Sequence, residues 1–300
     1  HPPHPQIWAL PCEISETHFF LAASRFTNVP MKLTISLAQM VFEFGDVESN
    51  FARAVPQIAE AAARGSDLVL LPELWASGYD LKNWARYATP LDGGIFARLS
   101  ELARQHKIAI GSSLLEADQG SAYNTFALFG PDGSLWGKYR KIHLFRLLEE
   151  DKYLLAGDQL SWVETPWGPT GLSICYDLRF PEMYRPLAMQ GVKLVLVVAE
   201  WPVTRIAHWR KLLMARAIEN QSFVAAVNKV GTSQGVDLGG SSMVADPWGE
   251  PLVEGNRQEA LLTTEIDLRE ADKARRFIPV FKDRREDIYG AVTRKQVIRK

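Results

Sequence analysis

From residue 31 onward the chain alternates short apolar runs with longer amphipathic stretches. Leu33, Ile35 and Leu37 recur at every second position, the spacing of a strand with one buried face. Phe51, Val55, Ile58 and Ala62 then follow helical spacing, which predicts a helix over 47–64 that Gly65 terminates. Residues 67–71 read as a short apolar strand cut off by Pro72, 94–106 as a helix and 107–115 as a strand. Strands over 123–129 and 134–139 flank Pro131-Asp132-Gly133, where Pro presets one turn angle and Gly tolerates positive φ. The second half repeats the theme, with strands at 170–174, 193–198 and 223–227 and helices at 181–190 and 203–221. Strands at 242–245 and 252–253 flank a turn over 246–249. A strand at 260–266, a short helix at 268–276 and a Lys/Arg-rich tail after Phe281 complete the pattern.

An internal echo bears on the architecture. Gly65-Ser66-Asp67-Leu68-Val69-Leu70 resembles Gly191-Val192-Lys193-Leu194-Val195-Leu196, each preceded by a helix and followed by a Trp. With the strand–helix alternation, this favours two similar halves in one layered α/β domain. Fully apolar strands imply sheets covered on both faces. The domain is expected over 31–281, with a tail over 282–300. Residues 1–30 open on His1-Pro2-Pro3-His4-Pro5 and show no period, so they are expected to be an extraneous or disordered extension, with Met31 as the natural start. The apolar patch at 18–23 lacks the preceding basic segment of a secretory signal.

Composition narrows the function. A net charge of -1 gives no reason to expect nucleic acid or an anionic membrane as partner. No apolar run is long enough to span a bilayer. Cys12 and Cys175 are too few for a disulfide framework, which fits a reducing, cytoplasmic compartment.

Three chemistry-bearing residues each stand at the end of an apolar segment: Glu73 after Leu70-Leu71-Pro72, Lys141 in Tyr139-Arg140-Lys141-Ile142-His143, and Cys175 after Leu172-Ser173-Ile174. A thiol at a strand-to-helix junction can attack a carbonyl, and the amide of the next residue, Tyr176, is then free to meet the oxyanion. A carboxylate can take the thiol proton, return it to the leaving group and later activate water. A fixed ammonium favours thiolate and oxyanion alike. Together they suggest a covalent hydrolase of an amide or related C–N bond.

Leu71-Pro72-Glu73, Tyr139-Arg140-Lys141-Ile142-His143-Leu144-Phe145 and Cys175-Tyr176-Asp177-Leu178-Arg179-Phe180-Pro181-Glu182 resemble, in order and spacing, the nitrilase superfamily of carbon–nitrogen hydrolases. The likeness runs from Met31 to about Ile266. It implies a four-layer α-β-β-α sandwich in which Glu73 is the base, Lys141 the oxyanion-stabilising lysine and Cys175 the nucleophile. The family often carries a second glutamate after the lysine motif. Of the adjacent Glu149 and Glu150, the spacing to Ala156-Gly157-Asp158 selects Glu150, to hold Lys141 and orient substrate. Tyr176-Asp177 after the nucleophile, and Trp201-Pro202 followed by Ala215-Arg216-Ala217-Ile218-Glu219-Asn220-Gln221, look like the amidase branch that includes ω-amidases. Those act on short monoamides of dicarboxylates, including α-ketoglutaramate.

The resemblance therefore implies an ω-amidase-like enzyme that needs no cofactor and releases ammonia from a small linear amide. An N-carbamoyl amino acid or ureido hydrolase and a nitrilase are the alternatives within the class; a non-catalytic interaction protein is the alternative outside it. Arg179 could bind a substrate carboxylate with its planar fork, or instead pair with Glu182 or cap a helix. Tyr79 and Trp201 are the aromatic candidates for the substrate pocket, and Glu200, which could compete with Glu73 as base, reads as a carboxylate that either supports the reacting groups from behind or stands at the pocket rim. His143 reads as a buried, hydrogen-bonded His. His106 and His208 lack ligand-like spacing, so no metal is expected. By the same resemblance, the 203–221 helix and the 176–190 region are expected to form a homodimer face or that of a higher homo-oligomer.

Overall fold

The computed structural model describes residues 31–289. The expectation for residues 1–30, and the end of the 282–300 tail, lie outside them. β1 (Lys32–Gln39) leads to α1 (Val47–Ala63), which starts where Asp46 accepts the Ser49 N–H at 3.0 Å. That contact satisfies one of the donors a helix start leaves unpaired. β2 (Leu68–Leu70), α2 (Trp84–Tyr87), α3 (Gly94–His106), β3 (Ala109–Asp118), β4 (Ser121–Phe129), β5 (Leu135–Arg140) and α4 (Glu150–Tyr153) complete the first half. The second contains β6 (Trp162–Thr165), β7 (Gly168–Ile174), α5 (Pro181–Met189), β8 (Leu194–Ala199), α6 (Ile206–Asn220) and β9 (Phe223–Asn228). The hairpin β10 (Val230–Ser233) and β11 (Val236–Gly239) follows, then β12 (Met243–Ala245), β13 (Pro251–Glu254), β14 (Ala260–Asp267), α7 (Arg269–Phe277) and α8 (Glu286–Tyr289).

Two six-stranded sheets form the body, ordered β14-β1-β2-β3-β4-β5 and β13-β12-β9-β8-β7-β6. β1, β2 and β3 pair in parallel in one; β7, β8 and β9 do so in the other. Side-chain alternation shows how the layers stack. Leu68 and Leu70 of β2 join the core shared with the second sheet, whereas Val69 between them packs with Phe51 and Ile58 of α1 and Phe96 and Leu99 of α3. On the far side Leu187 of α5 and Trp209 and Leu213 of α6 cover the second sheet. The result is the α-β-β-α sandwich that the motifs imply. Each fully buried Leu at these positions contributes about 1.5–3 kcal/mol relative to exposure.

Three local differences from the sequence reading have physical causes. β1 is buried on both faces from Ile35 onward, not on one, because on the second face Ala38 packs in the core beneath α1 and α3 and polar Ser36 finds a partner inside, its Oγ 2.8 Å from Ser66 Oγ. The 203–221 helix opens with a 3-10 turn over Val203–Arg205 before α6 begins at Ile206. β6 and the β10–β11 hairpin carry too few apolar positions to stand out. The hairpin's own signal is Gln234-Gly235, both at positive φ (49° and 77°), as a tight two-residue turn requires. Among the described residues no helix is long and apolar enough to cross a membrane.

Candidate active site

The parallel strands deliver their following residues to one end of the sandwich, where α/β sheets place ligand sites. Glu73 lies just past β2, Cys175 directly after β7, and Glu200 and Trp201 directly after β8; Lys141 follows β5. The backbone departs from regular geometry at these exits. Leu74, Tyr79 and Cys175 have φ of 43°, 72° and 46°, a left-handed region costly for residues with a Cβ. Cys175 opens a 3-10 turn (Cys175–Arg179), and the first N–H groups of such a turn, including that of Tyr176, have no partner within it.

Asp177 holds this strained turn from inside. Its carboxylate, fully buried, accepts the Ile174 N–H at 3.0 Å and the Tyr139 hydroxyl at 2.8 Å. It also accepts the His143 backbone N–H at 3.2 Å and lies 2.8 Å from His143 Nδ1. His143 stacks on Phe180 at 3.6 Å between ring centroids. The imidazole is hydrogen-bonded as expected but half-buried rather than buried, because it caps the turn from the side by stacking on Phe180.

Beside Cys175 is a dry ionic cluster. Lys141 Nζ donates to Glu73 Oε1 and to Glu150 Oε1, each at 2.7 Å. All three side chains have no exposed surface. Glu73 also accepts Asn124 Nδ2 at 2.8 Å and the Glu200 backbone N–H at 3.1 Å; Glu150 accepts the Phe145 N–H at 2.7 Å. The Tyr79 hydroxyl donates to Glu150 and, at 3.4 Å, to Glu73. An ammonium has three donors, and two are spent on the carboxylates, so one N–H remains for a ligand. Glu149, the rejected neighbour, pairs with Lys152 at 2.6 Å instead.

Burial and charge pull these groups in different directions. Burial opposes the Lys141 charge, but Glu150 and Glu73 outweigh it and hold the ammonium well above its usual range. Burial raises Glu150 despite Lys141. For Cys175, burial and then Glu73 push the thiol well up, and Lys141 only partly offsets them. Burial thus favours the protonated thiol at rest, while Lys141 pulls toward the thiolate as the sequence reading expects. The thiol proton has to leave as the attack occurs.

Cys175 opens onto a cavity of about 360 Å³. Tyr79, Glu200, Trp201, Arg179 and Arg205 line it, along with residues of the β10–β11 hairpin. Arg179 does not pair with Glu182. Its guanidinium lies over the Trp201 ring at 4.7 Å, with Nη1 3.4 Å from His208 Nδ1. Arg205 lies over Phe145 at 5.7 Å and holds Trp201 through its carbonyl, which accepts Trp201 Nε1 at 2.8 Å. Burial and then Arg205 depress the Arg179 pKa, so the two cations sense each other. Trp75 and Trp209 belong to the core. Among the described residues no three His, Cys, Asp or Glu side chains gather as metal ligands do.

Sequence reasoning left Asn124, Arg205 and Lys229 without a role, although Asn124 and Lys229 were visible as polar residues beside apolar strand positions and Arg205 as a cation near the start of the 203–221 helix. Asn124 holds Glu73, Arg205 lines the cavity, and Lys229, buried past the end of β9, lies 3.5 Å from Glu200 Oε2.

The profile of the Carbon-nitrogen hydrolase family matches residues 34–276. The chain is 39% identical over 260 residues to the 2-oxoglutaramate amidase of Bacillus subtilis (strain 168), covering 86% of this chain and 100% of that protein. It is 38% identical over 270 residues to the omega-amidase NIT2 of Homo sapiens, covering 86% and 98%. Among solved structures, a CN-hydrolase superfamily protein from Xanthomonas campestris with an arsenic adduct in its active site superposes with a TM-score of 0.80 at 34% identity, over 85% of this chain and 97% of that one. A mutant amidase from Nesterenkonia sp. AN1, showing covalent addition of the acetamide moiety of fluoroacetamide at the active site cysteine, gives 0.76 at 27% identity, over 86% and 95%.

Proposed function

The chain belongs to the carbon–nitrogen hydrolase family, and from that premise we propose that Cys175, Glu73 and Lys141 hydrolyse the terminal amide of a short dicarboxylate monoamide. The protein is a thiol-dependent amidohydrolase acting on C–N bonds other than peptide bonds. The roles below and the acyl group are our reading.

Cys175 Sγ attacks the amide carbon as its proton passes to Glu73. The oxyanion meets the remaining Lys141 N–H and the Tyr176 amide. Collapse breaks the C–N bond, Glu73 hands its proton to the departing nitrogen, and ammonia leaves a thioester on Cys175. Water then gives a proton to Glu73 and adds to the thioester carbonyl. The second collapse releases the carboxylic acid, and Glu73 returns the proton to sulfur. Glu150 keeps Lys141 fixed and charged throughout.

The observation that carries the acyl assignment is the pair Arg179 and Arg205. Both line the cavity beside Cys175, and among the described residues neither forms an ion pair with an acidic side chain. Two guanidiniums without acidic partners favour a substrate with a carboxylate at its far end. Kinetics on α-ketoglutaramate, succinamate, a neutral amide of equal length and N-carbamoyl amino acids test this, with ammonia and CO2 both measured. Preference for the two monoamides with no CO2 release is the expected result. A faster neutral amide overturns the acyl reading; CO2 release from a preferred N-carbamoyl substrate replaces it with the ureido reading.

A further inference from the structure

Glu200 and Lys229 form a buried pair that the reaction above does not use. Lys229 is 1% exposed and Glu200 8%. Glu200 Oε2 lies 3.5 Å from Lys229 Nζ, yet neither atom has a hydrogen bond among the described residues. A buried ion pair without supporting hydrogen bonds is a poor stabiliser, because desolvation of both charges offsets their attraction. Its position suggests another use.

The segment carrying Glu200 bridges the base and the nucleophile. The Glu200 N–H donates to Glu73 Oε2 at 3.1 Å, and the Glu200 carbonyl accepts from Cys175 Sγ at 4.0 Å. The Ala199 carbonyl accepts the Glu73 N–H at 3.5 Å and the Lys229 N–H at 3.3 Å. Trp201, on the other side, is clamped by Asn228, whose side chain accepts its N–H at 2.6 Å and donates to its carbonyl at 3.1 Å. One residue's main chain therefore touches both reacting side chains, and its carboxylate faces the ammonium of Lys229, the residue that follows β9.

We propose that Glu200, anchored by Lys229, is a positioning residue that aligns Glu73 with Cys175 and does so only while its carboxylate is ionised. Protonating Glu200 leaves Lys229 as a lone buried charge, which the segment relieves only by moving. Burial pushes the Glu200 carboxyl up to about 7, against the opposing pull of Lys229 and with a further push from Glu73. The charged and titratable groups around it are Lys229 past β9, Glu73 past β2, Lys141 past β5, Cys175 and Arg179 of the 3-10 turn, and Arg205 and Tyr79 across the cavity. The protonated state gains population as pH falls through neutrality, so the inference predicts an acid-side fall in turnover there.

The experiment is the pH profile of kcat/KM on the best amide for the wild type, Glu200→Gln and Lys229→Met, with folding checked by circular dichroism. Glu200→Gln keeps the shape of the side chain and removes its titration. Its profile is expected to lose the fall near neutrality, with a plateau lowered by about tenfold through looser alignment. Lys229→Met removes the group that holds the Glu200 pKa down, so the fall is expected to move to higher pH. An unchanged acid limb in Glu200→Gln overturns the proposal, as does an unmoved limb in folded Lys229→Met. The inference rests on Glu73 and Cys175 as base and nucleophile, and it fails separately from that reading. Activity surviving in Cys175→Ala sinks the reading, whereas an unchanged limb in active Glu200→Gln sinks only the inference.

Discussion

The ionic cluster at the floor of the site and the arginine-bearing wall of the cavity differ in almost every physical respect. Glu73, Lys141 and Glu150 lie in a dry pocket, interlocked by hydrogen bonds of 2.7 Å. Arg179 and Arg205 instead rest on aromatic faces, without acidic partners among the described residues, over a cavity of about 360 Å³. In the first region every carboxylate oxygen of Glu73 and Glu150 already has a partner within the protein, and one Lys141 N–H is left for the reacting atoms. The second is an incomplete site that an anion completes. Chemistry is thus preorganised by saturation and selectivity by deficit, and substitutions in the two regions should fail in different ways.

Cys175→Ala separates chemistry from folding most sharply. It should lower kcat by about ten-thousandfold or more while thermal stability changes little. Retained hydrolysis measured by ammonia release would refute the nucleophile assignment. Lys141→Met should come next, because it leaves the Glu73 and Glu150 carboxylates together in a dry site. A loss of about 3–5 kcal/mol in denaturant unfolding is expected, along with activity. Stability equal to wild type would mean that the cluster is not as dry as described.

Arg179→Ala acts on the other region. The KM for carboxylate-bearing amides should rise, reflecting a lost charge-assisted contact of about 1.5–3 kcal/mol, while a neutral amide is barely affected. Equal losses on both substrates would reassign Arg179 to structure. A gentler probe is alkylation of Cys175 by iodoacetamide, followed by peptide mapping. Because burial and Glu73 raise the thiol pKa, labelling should be slow at neutral pH and accelerate only as pH rises well past the ordinary thiol range. Rapid labelling at neutral pH would point to a standing thiolate. Leu147→Ala should have the smallest effect on stability, within about 0.5 kcal/mol, since the side chain is 77% exposed at the cavity mouth.

The two regions were not equally legible in the sequence. Glu73 and Cys175 each close an apolar run and Lys141 follows a predicted strand, so a strand-end reading points to them without coordinates. The geometry brings them together, with Glu150 rather than Glu149 meeting Lys141. The internal echo also has a spatial counterpart. β2 and β8 each run between two parallel neighbours, and each is soon followed by a carboxylate of the site, Glu73 and Glu200. The cavity wall was harder to read. Arg205 lies in a 3-10 turn that continues into a helix, and Lys229 finds Glu200 across 29 positions of sequence (229 − 200). Such contacts depend on strand order, which no local period encodes. Asp177 was visible only as a letter within a motif; one of its four contacts, to the Ile174 N–H, is local, and the three to Tyr139 and His143 arise from segments that meet when β5 and β7 face each other.

The β10–β11 ribbon contributes Ser233, Gln234, Val236 and Leu238 to the cavity but none of the groups assigned to the reaction. It is tied to the body near its base, where the Val230 N–H meets the Met40 carbonyl at 3.1 Å and the Gly239 N–H meets the Trp201 carbonyl at 2.9 Å. Its tip, Gln234-Gly235, tolerates change as exposed turns generally do. Lengthening or recolouring that tip redraws the outline a guest molecule must fit, with every bond-breaking atom left where it was. A lineage with this architecture can therefore widen or narrow its diet by editing a handful of codons, and a protein engineer can do the same.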